Sequence, residues 1–541
     1  MTIAGRDLRA FYYPKGWPET PYDPIKTKVI INQPAASLYL DQRYNGNTIA
    51  DPADISLITS SGNDSISAST SASTTPAVAA VNDSFGIRLT AATNRSRPVP
   101  ELQLNSGNDS LLGKALVSRY AVVATRQLQY SDLVGIDNQG RLFGGLLNPA
   151  DPQRERQMPF SGNDSLTGSG AYRGLVNGTA STNPSAVINL GDGNDTIVGS
   201  GGRVRASTSR YSAGVINHGR LVLGVDTLDT SKPNNDRDAL TGSSAVVGVV
   251  NTGTIDFGLD NDTLKARGGA LNPTQFGLLN QGQSAVIRMG DGSDTISANG
   301  YTAIDNSGSI DLGSGNADVM ATGVVLGLVN HADAVLRFSN PSSTQVRRNL
   351  TAAGSSAAVR NNGLILFEGN GTDSIVLSKG GFDSELVANP FDPDPGLLTP
   401  RGRIVMGQGV DRVTGFGTAY IDAGNPDPIS GSPAIPAELV LPANSSYALR
   451  SAAVLVNSAD RTSPVYLADP NAAVPEGYSL DTVAVYLLIG LDNAVGRMVL
   501  NGFTKVAGQT FVASGALQLD VDAKGRGSYS PLPVDFVWPI P

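Results

Sequence analysis

The sequence predicts an all-β protein built mainly as a parallel β-helix, a β-solenoid of about 24 residues per coil. Three observations predict it. One turn-and-strand pattern recurs from about residue 56 to 420, its repeats fall 24 residues apart at several places, and no segment sustains the 3.6-residue apolar period of a helix.

The recurring pattern is an Asn–x–Gly turn, a short β-branched strand, then Gly–x–Gly–x–Asp–x–aliphatic. It is clearest in AIDNSGSIDLGSGNADVMATG, from Ala303. The Asn column reads Asn138, Asn177, Asn217, Asn251, Asn280, Asn306, Asn330 and Asn362. The Asp column reads Asp64, Asp109, Asp164, Asp195, Asp262, Asp294, Asp318, Asp373 and Asp411, with Asp238 a degenerate member. Asp238 to Asp262, Asp294 to Asp318 and Asn306 to Asn330 are each 24 residues. The longer steps, 32 from Asp262 to Asp294 and 55 from Asp318 to Asp373, fit the same coil with insertions or a skipped row.

Three short strands separated by Gly/Asn turns make one such coil. Within it Ile304, Ile310, Leu312 and Val319 would point inward, and Val249, Ile255, Phe257 and Leu264 would fill the same slots. Coils stack at the strand spacing of about 4.8 Å. Asn251, Asn280, Asn306 and Asn330 should then lie above one another, with Ile255, Val286 or Ile287, Ile310, and Val335 or Leu336 in one core column.

The ends depart from this pattern. Residues 1–55, an N-terminal arm, crowd Phe11, Tyr12, Tyr13, Trp17 and Tyr22 into a Pro-rich stretch without a period. Such aromatics suit either an irregular strap on the body or an arm docking on a neighbouring subunit. After the Pro/Gly-rich GNPDPISGSPAIP, residues 421–541 alternate or run apolar in strand-sized pieces. They are expected to form a C-terminal β-rich, sandwich-like domain or a cap on the solenoid's exposed strand edges.

Composition narrows the function. A net charge of −9, from 39 Lys+Arg against 48 Asp+Glu, excludes a generally basic nucleic-acid binder. The absence of Cys removes disulfides and thiolate metal sites. The acids divide into 41 Asp and 7 Glu, and the shorter carboxylate is the one suited to turns and oxygen-ligand calcium sites. The first residues lack the apolar stretch of a secretory signal, and the longest apolar run, Val483 to Ile489, is too short for a transmembrane segment.

LGDGNDTIVGSGG, from Leu190, and MGDGSDTISANG, from Met289, resemble the hemolysin-type (RTX) calcium-binding repeat, Gly-Gly-x-Gly-x-Asp-x-aliphatic-x, and SGNDS at Ser61, Ser106 and Ser161 is a shorter match. The resemblance covers only these turns. It implies Ca2+ at Asp192, Asp195, Asp291 and Asp294, and by extension at Asp164, Asp262 and Asp318, with export through a type I channel and no cleaved N-terminal signal peptide. The repeats here occur once per coil instead of in tandem, so an ion would have to bridge turns of adjacent coils. Without metal, the Asp and Asn columns would be ladders closing each coil through backbone N–H bonds. The same turns read Asn–x–Ser/Thr at Asn63, Asn108, Asn163, Asn194 and Asn261, matches that the turn pattern generates by itself.

Enzyme signals are sparse. His218 and His331 both follow the Asn of a turn, and no nucleophile elbow, phosphate loop or His cluster is present. Arg203, Arg205, Arg210 and Arg220 lie near the Asp column and could form the lateral face that polysaccharide lyases on β-helices use. The expectation is an extracellular structural protein: a subunit of a cell-surface filament, sheath or S-layer-like assembly, homo-oligomeric or polymeric through the arm and C-terminal domain. The alternative is a glycan-binding adhesin or a tailspike- or lyase-like β-helix that takes a cell-surface glycan.

Overall fold

The computed structural model describes residues 108–117, 133–144, 162–180, 186–202, 212–224, 237–339, 346–388, 398–424, 437–457, 465–467, 473–490, 496–510 and 516–536, together with short strands between residues 8 and 103. All regular structure among the described residues is β, and no helix there is long and apolar enough to cross a membrane. The chain forms two compact units, one of residues 1–291 and 295–301, the other of 292–294 and 302–541.

In the first unit each coil carries three strands, and each strand pairs in parallel with its equivalent one coil on. One column runs through Ser110–Val117, Ser165–Gly170, Thr196–Gly201, Ala239–Ser243 and Thr263–Arg267. A second runs through Leu133–Asn138, Arg173–Asn177, Ala213–Asn217, Val247–Asn251 and Phe276–Asn280. The third, Arg141–Phe143, Val187–Asn189, Arg220–Val222, Thr254–Asp256 and Val286–Arg288, belongs to a separate sheet. This stacking is the arrangement of a β-solenoid.

Period-two alternation turns one aliphatic residue per strand inward, and registry stacks these into columns. Leu111, Leu166, Ile197, Leu240 and Leu264 lie in one, and Leu142, Ile188, Leu221, Ile255 and Ile287 in another, all without solvent exposure. Each such side chain contributes about 1.5–3 kcal/mol of burial. Because the columns fix only the inward residues, coil length is elastic. Residues hydrogen-bonded across consecutive coils are 55, 31, 43 and 24 residues apart along the Asp column. The predicted 24-residue coil is therefore the shortest of these, and the extra residues lie between strands that keep their register.

The second unit repeats the plan with Val319, Leu350, Ile375, Val413, Leu439 and Val506 in one column. Ile310, Leu336, Ile365, Ile404, Ile421 and Leu500 form another. Of the pairs left open by the sequence, Ile287 and Leu336 take the core positions, while Val286 and Val335 are half-buried.

Neither predicted boundary marks a change in this pairing. Upstream of residue 56, Ser37–Gln42 already pairs in parallel with Ser65–Ala72, and Leu8–Arg9 with Leu38 and Tyr39. Past 421, Ala437–Val440 and Phe503–Val506 continue the parallel column, so the Pro/Gly-rich segment falls between two hydrogen-bonded rungs. The expected sandwich is replaced by antiparallel strands, Ser445–Asn457 against Tyr478–Gly490 and Leu517–Val521, that share one apolar cluster with the parallel rungs. In it Tyr420 and Val499 pack with Ala448, Tyr486 and Leu488.

One turn glycine shows how tightly coils approach. Gly290 has φ +86°, and a Cβ there would collide with the carbonyl oxygen of Gly258 one coil away. Gly290→Ala is expected to cost about 3 kcal/mol, from left-handed backbone strain plus the collision. Urea denaturation of the variant checks this.

Candidate functional site

The two polar columns are the structure's concentrated side-chain chemistry, and each does a different job at a coil corner. An Asn side chain has two donor hydrogens and two acceptor lone pairs. In the first unit the Nδ2 of Asn138 donates to Asn177 Oδ1 at 2.7 Å, Asn177 to Asn217 at 2.8 Å, Asn217 to Asn251 at 2.9 Å and Asn251 to Asn280 at 2.8 Å. The second hydrogen of each reaches a third-column carbonyl: Val187, Arg220, Thr254 and Val286, in the same order. Oδ1 also accepts the N–H of the glycine two residues on, Gly140 for Asn138 and Gly253 for Asn251, which explains the Asn–x–Gly spelling. An Asp lacks the donors, and a Gln reaches too far to close the same turn.

In the second unit Asn306 donates to Asn330 and Asn330 to Asn361, each at 2.9 Å. The ladder member is Asn361, not the predicted Asn362, whose Oδ1 instead accepts the Glu385 N–H at 2.7 Å.

The Asp column runs the same way, each coil donating to the next, but its donors are backbone N–H groups. The backbone N–H of Asp109 donates to Asp164 Oδ1 at 3.0 Å, that of Asp164 to Asp195 at 2.7 Å, that of Asp195 to Asp238 at 2.7 Å and that of Asp238 to Asp262 at 2.9 Å. All five are at most 3% exposed, so Asp238 is a full member. The preceding Asn works outside: Asn108 Oδ1 accepts the Asn163 N–H and Asn163 Oδ1 the Asn194 N–H, each at 2.7 Å. The Asn163–Asp164 pair thus bonds one coil forward and one coil back, and three of the Asn–x–Ser/Thr matches, Asn108, Asn163 and Asn194, take part in these bonds. Burial pushes the Asp164 carboxyl up to about 9; the Asp109 N–H pulls it down and the Asp109 charge adds to the rise.

Asp294, in the second unit, is 2% exposed. Asp318 is not its successor. GSGNADV is as long as GDGSDTI but carries its Asp one position later, so strand alternation turns Asp318 outward, and Ala317 takes the inward position. There Asp318 Oδ1 accepts the Asn349 Nδ2 at 2.7 Å. The next inward position holds Arg348, paired in register with Ala317 on one side and Asp373 on the other.

Arg348 is fully buried. Its Nε and Nη2 grip Asp373 Oδ1 and Oδ2 at 2.7 Å each, and Nη1 donates to the carbonyls of Glu368 at 2.6 Å and Ser339 at 3.1 Å. Gly371 leaves room for the fork, since a Cβ there would meet Nη2 at 2.7 Å. The guanidinium carbon lies 5.7 Å from the Phe367 ring, itself stacked on Phe338 at 4.1 Å. Desolvation pushes Asp373 up to about 6 against the pull of Arg348. Asp411, next in the column, is pushed up to about 9 by burial and then by the Asp373 charge.

Calcium takes six to eight oxygens at about 2.3–2.6 Å. The inward carboxylates of Asp164, Asp195 and Asp262 do not fit that shell. Asp164 and Asp195 each hold a backbone N–H on Oδ1, a donor that a cation would repel. Gly144 leaves no space in front of Asp164 Oδ2, and no three acidic or His groups converge among the described residues. Asp192 is half-buried and Asp291 exposed in their turns.

The two histidines do occupy equivalent positions, each donating its N–H to a ladder Asn carbonyl one coil back, Asn177 for His218 and Asn306 for His331. His218 Nδ1 lies 2.7 Å from Thr252 Oγ1, and burial followed by the Arg173 charge lowers its pKa. His331 Nε2 lies 2.9 Å from Asp305 Oδ1, and this contact raises its pKa. Arg220 is half-buried on the third column, in register with Val187 and Thr254. Tyr12, Tyr13, Trp17, Asp64, Arg203, Arg205 and Arg210 lie outside the described residues.

Compared with known proteins, the chain matches no family model, no curated protein and no solved structure.

Proposed function

We propose that the chain is an extracellular structural protein, a closed β-solenoid that serves as the subunit of a cell-surface filament, sheath or S-layer-like assembly. The observation that carries this reading is the use of the polar columns. Both Asn ladders and the Asp column spend their hydrogen-bonding groups on the neighbouring coil. The parallel stack they hold is a scaffold that lengthens by adding coils, without redesign of the core. Assembly rests on the aromatic arm: a head-to-tail contact between unlike surfaces gives an open filament unless its rotation closes a ring.

Removing residues 1–25 is expected to leave a folded, β-rich monomer that no longer polymerises, which negative-stain electron microscopy and sedimentation would show. Fibres from the truncated chain would overturn the arm as the joint. A glycan-active lateral face is the second reading, favoured by the second unit's surface, where His331 meets Asp305 at 2.9 Å and Arg360 meets Asp383 at 2.6 Å. An intact protein that stays monomeric at high concentration and binds a polysaccharide would put that reading first.

A further inference from the structure

We propose that Asp164, inside the first unit's Asp column, is a neutral carboxylic acid, so that a proton, not calcium, holds this corner and alkali loosens it. The inference is independent of the filament reading. Asp109, Asp164, Asp195, Asp238 and Asp262 occupy one slot on successive coils, about one strand spacing apart. Ionising Asp164, which is 1% exposed, would put its charge beside two further carboxyls in a site almost closed to solvent.

The groups facing Asp164 are Asp109 on the coil before and Asp195 on the coil after, with the Gly144 backbone in front of Oδ2. The second unit supplies the contrast. There the same column does hold a charged member, Asp373, and the chain provides Arg348 with a two-pronged grip on it. A neutral acid meets the needs of the slot at Asp164: a carbonyl-type oxygen for the Asp109 N–H and a partner oxygen without charge. The upward shift of Asp164 to about 9 runs the same way. Because this is a raised carboxyl, its contribution to stability is complete below the ordinary value of 3.8 and is lost as pH climbs through about 9.

Asp164→Asn tests the proposal, since the amide keeps the acceptor oxygen and cannot ionise. The melting temperature of the wild-type protein should fall from pH 6 to pH 9 while that of the variant falls less. Unfolding in urea at pH 7 in weakly buffered solution should release about one proton fewer from the variant, and millimolar calcium should shift neither melting curve. The proposal is overturned if both proteins release the same number of protons. It is equally overturned if calcium raises the wild-type melting temperature and the substitution abolishes that gain. Should the variant fail to fold, the infrared spectrum of Asp411→Asn at neutral pH decides, because a protonated-carboxyl band must remain once Asp411 cannot supply it, and its absence rejects the proposal.

Discussion

Arg348→Met is expected to destabilise the second unit by about 3–5 kcal/mol at pH 8, the range for removing one partner of a buried ion pair. The side chain is fully buried and its guanidinium serves Asp373 and the carbonyls of Ser339 and Glu368. Deleting it leaves a carboxylate in the interior with no countercharge. Desolvation has already raised Asp373 to about 6, so its stabilising contribution is complete below 3.8 and lost as pH rises through 6. Without Arg348 that upper limit moves higher, and the variant should lose least near pH 4 and most in mild alkali. Arg348→Met with Asp373→Leu should recover much of the loss, because two apolar groups bury without a charge to solvate. Urea titrations of the single and double variants at pH 5 and pH 8 measure all three quantities. A single variant equally destabilised at both pH values would show that lost packing, not the stranded charge, sets the cost.

The Asn column was legible because its chemistry leaves one choice of side chain, and Asn–x–Gly spells the turn as well as the ladder. Asp318 lies outside the column because GSGNADV sets its Asp one position after the inward slot, where GDGSDTI has Thr295, and neighbouring residues of a strand face opposite ways. Arg348 breaks the acidic pattern of the column, and its slot is legible only through the common Leu-Thr and Val-x-Asn frame of NLTAAGSSAAVRN from Asn349 and ALTGSSAVVGVVN from Ala239. Laying the two side by side puts Arg348 on Asp238 and picks Asn361 over Asn362. The coil lengths could not be read from spacing alone, since residues inserted between strands leave the inward columns unchanged. The wording of the turn points to calcium, whereas the direction of an Asp side chain depends on the backbone N–H groups of the neighbouring coil.

Asn217→Ala should cost about 3–5 kcal/mol, the largest effect expected in the first unit. Its Nδ2 donates to Asn251 Oδ1 and to the Thr254 carbonyl, and its Oδ1 accepts from Asn177. Alanine removes all three bonds and strands a donor and two acceptors on coils that cannot close the gap, and each buried group so stranded costs about 1–3 kcal/mol. Asn251 Oδ1 keeps the Gly253 N–H as a second partner, which holds the total below the sum of three full penalties. Asn217→Asp separates donor from acceptor chemistry: it preserves the oxygen for Asn177 but loses both donations and adds a buried charge, so it should be worse than alanine at pH 8 and recover towards pH 4 as the acid protonates. Asn194→Ala is the control, because Asn194 is exposed and its substitution should cost under about 1 kcal/mol. If Asn217→Ala unfolds within 1 kcal/mol of the wild-type protein in urea, water replaces the ladder without loss, and the aliphatic columns alone hold coil to coil.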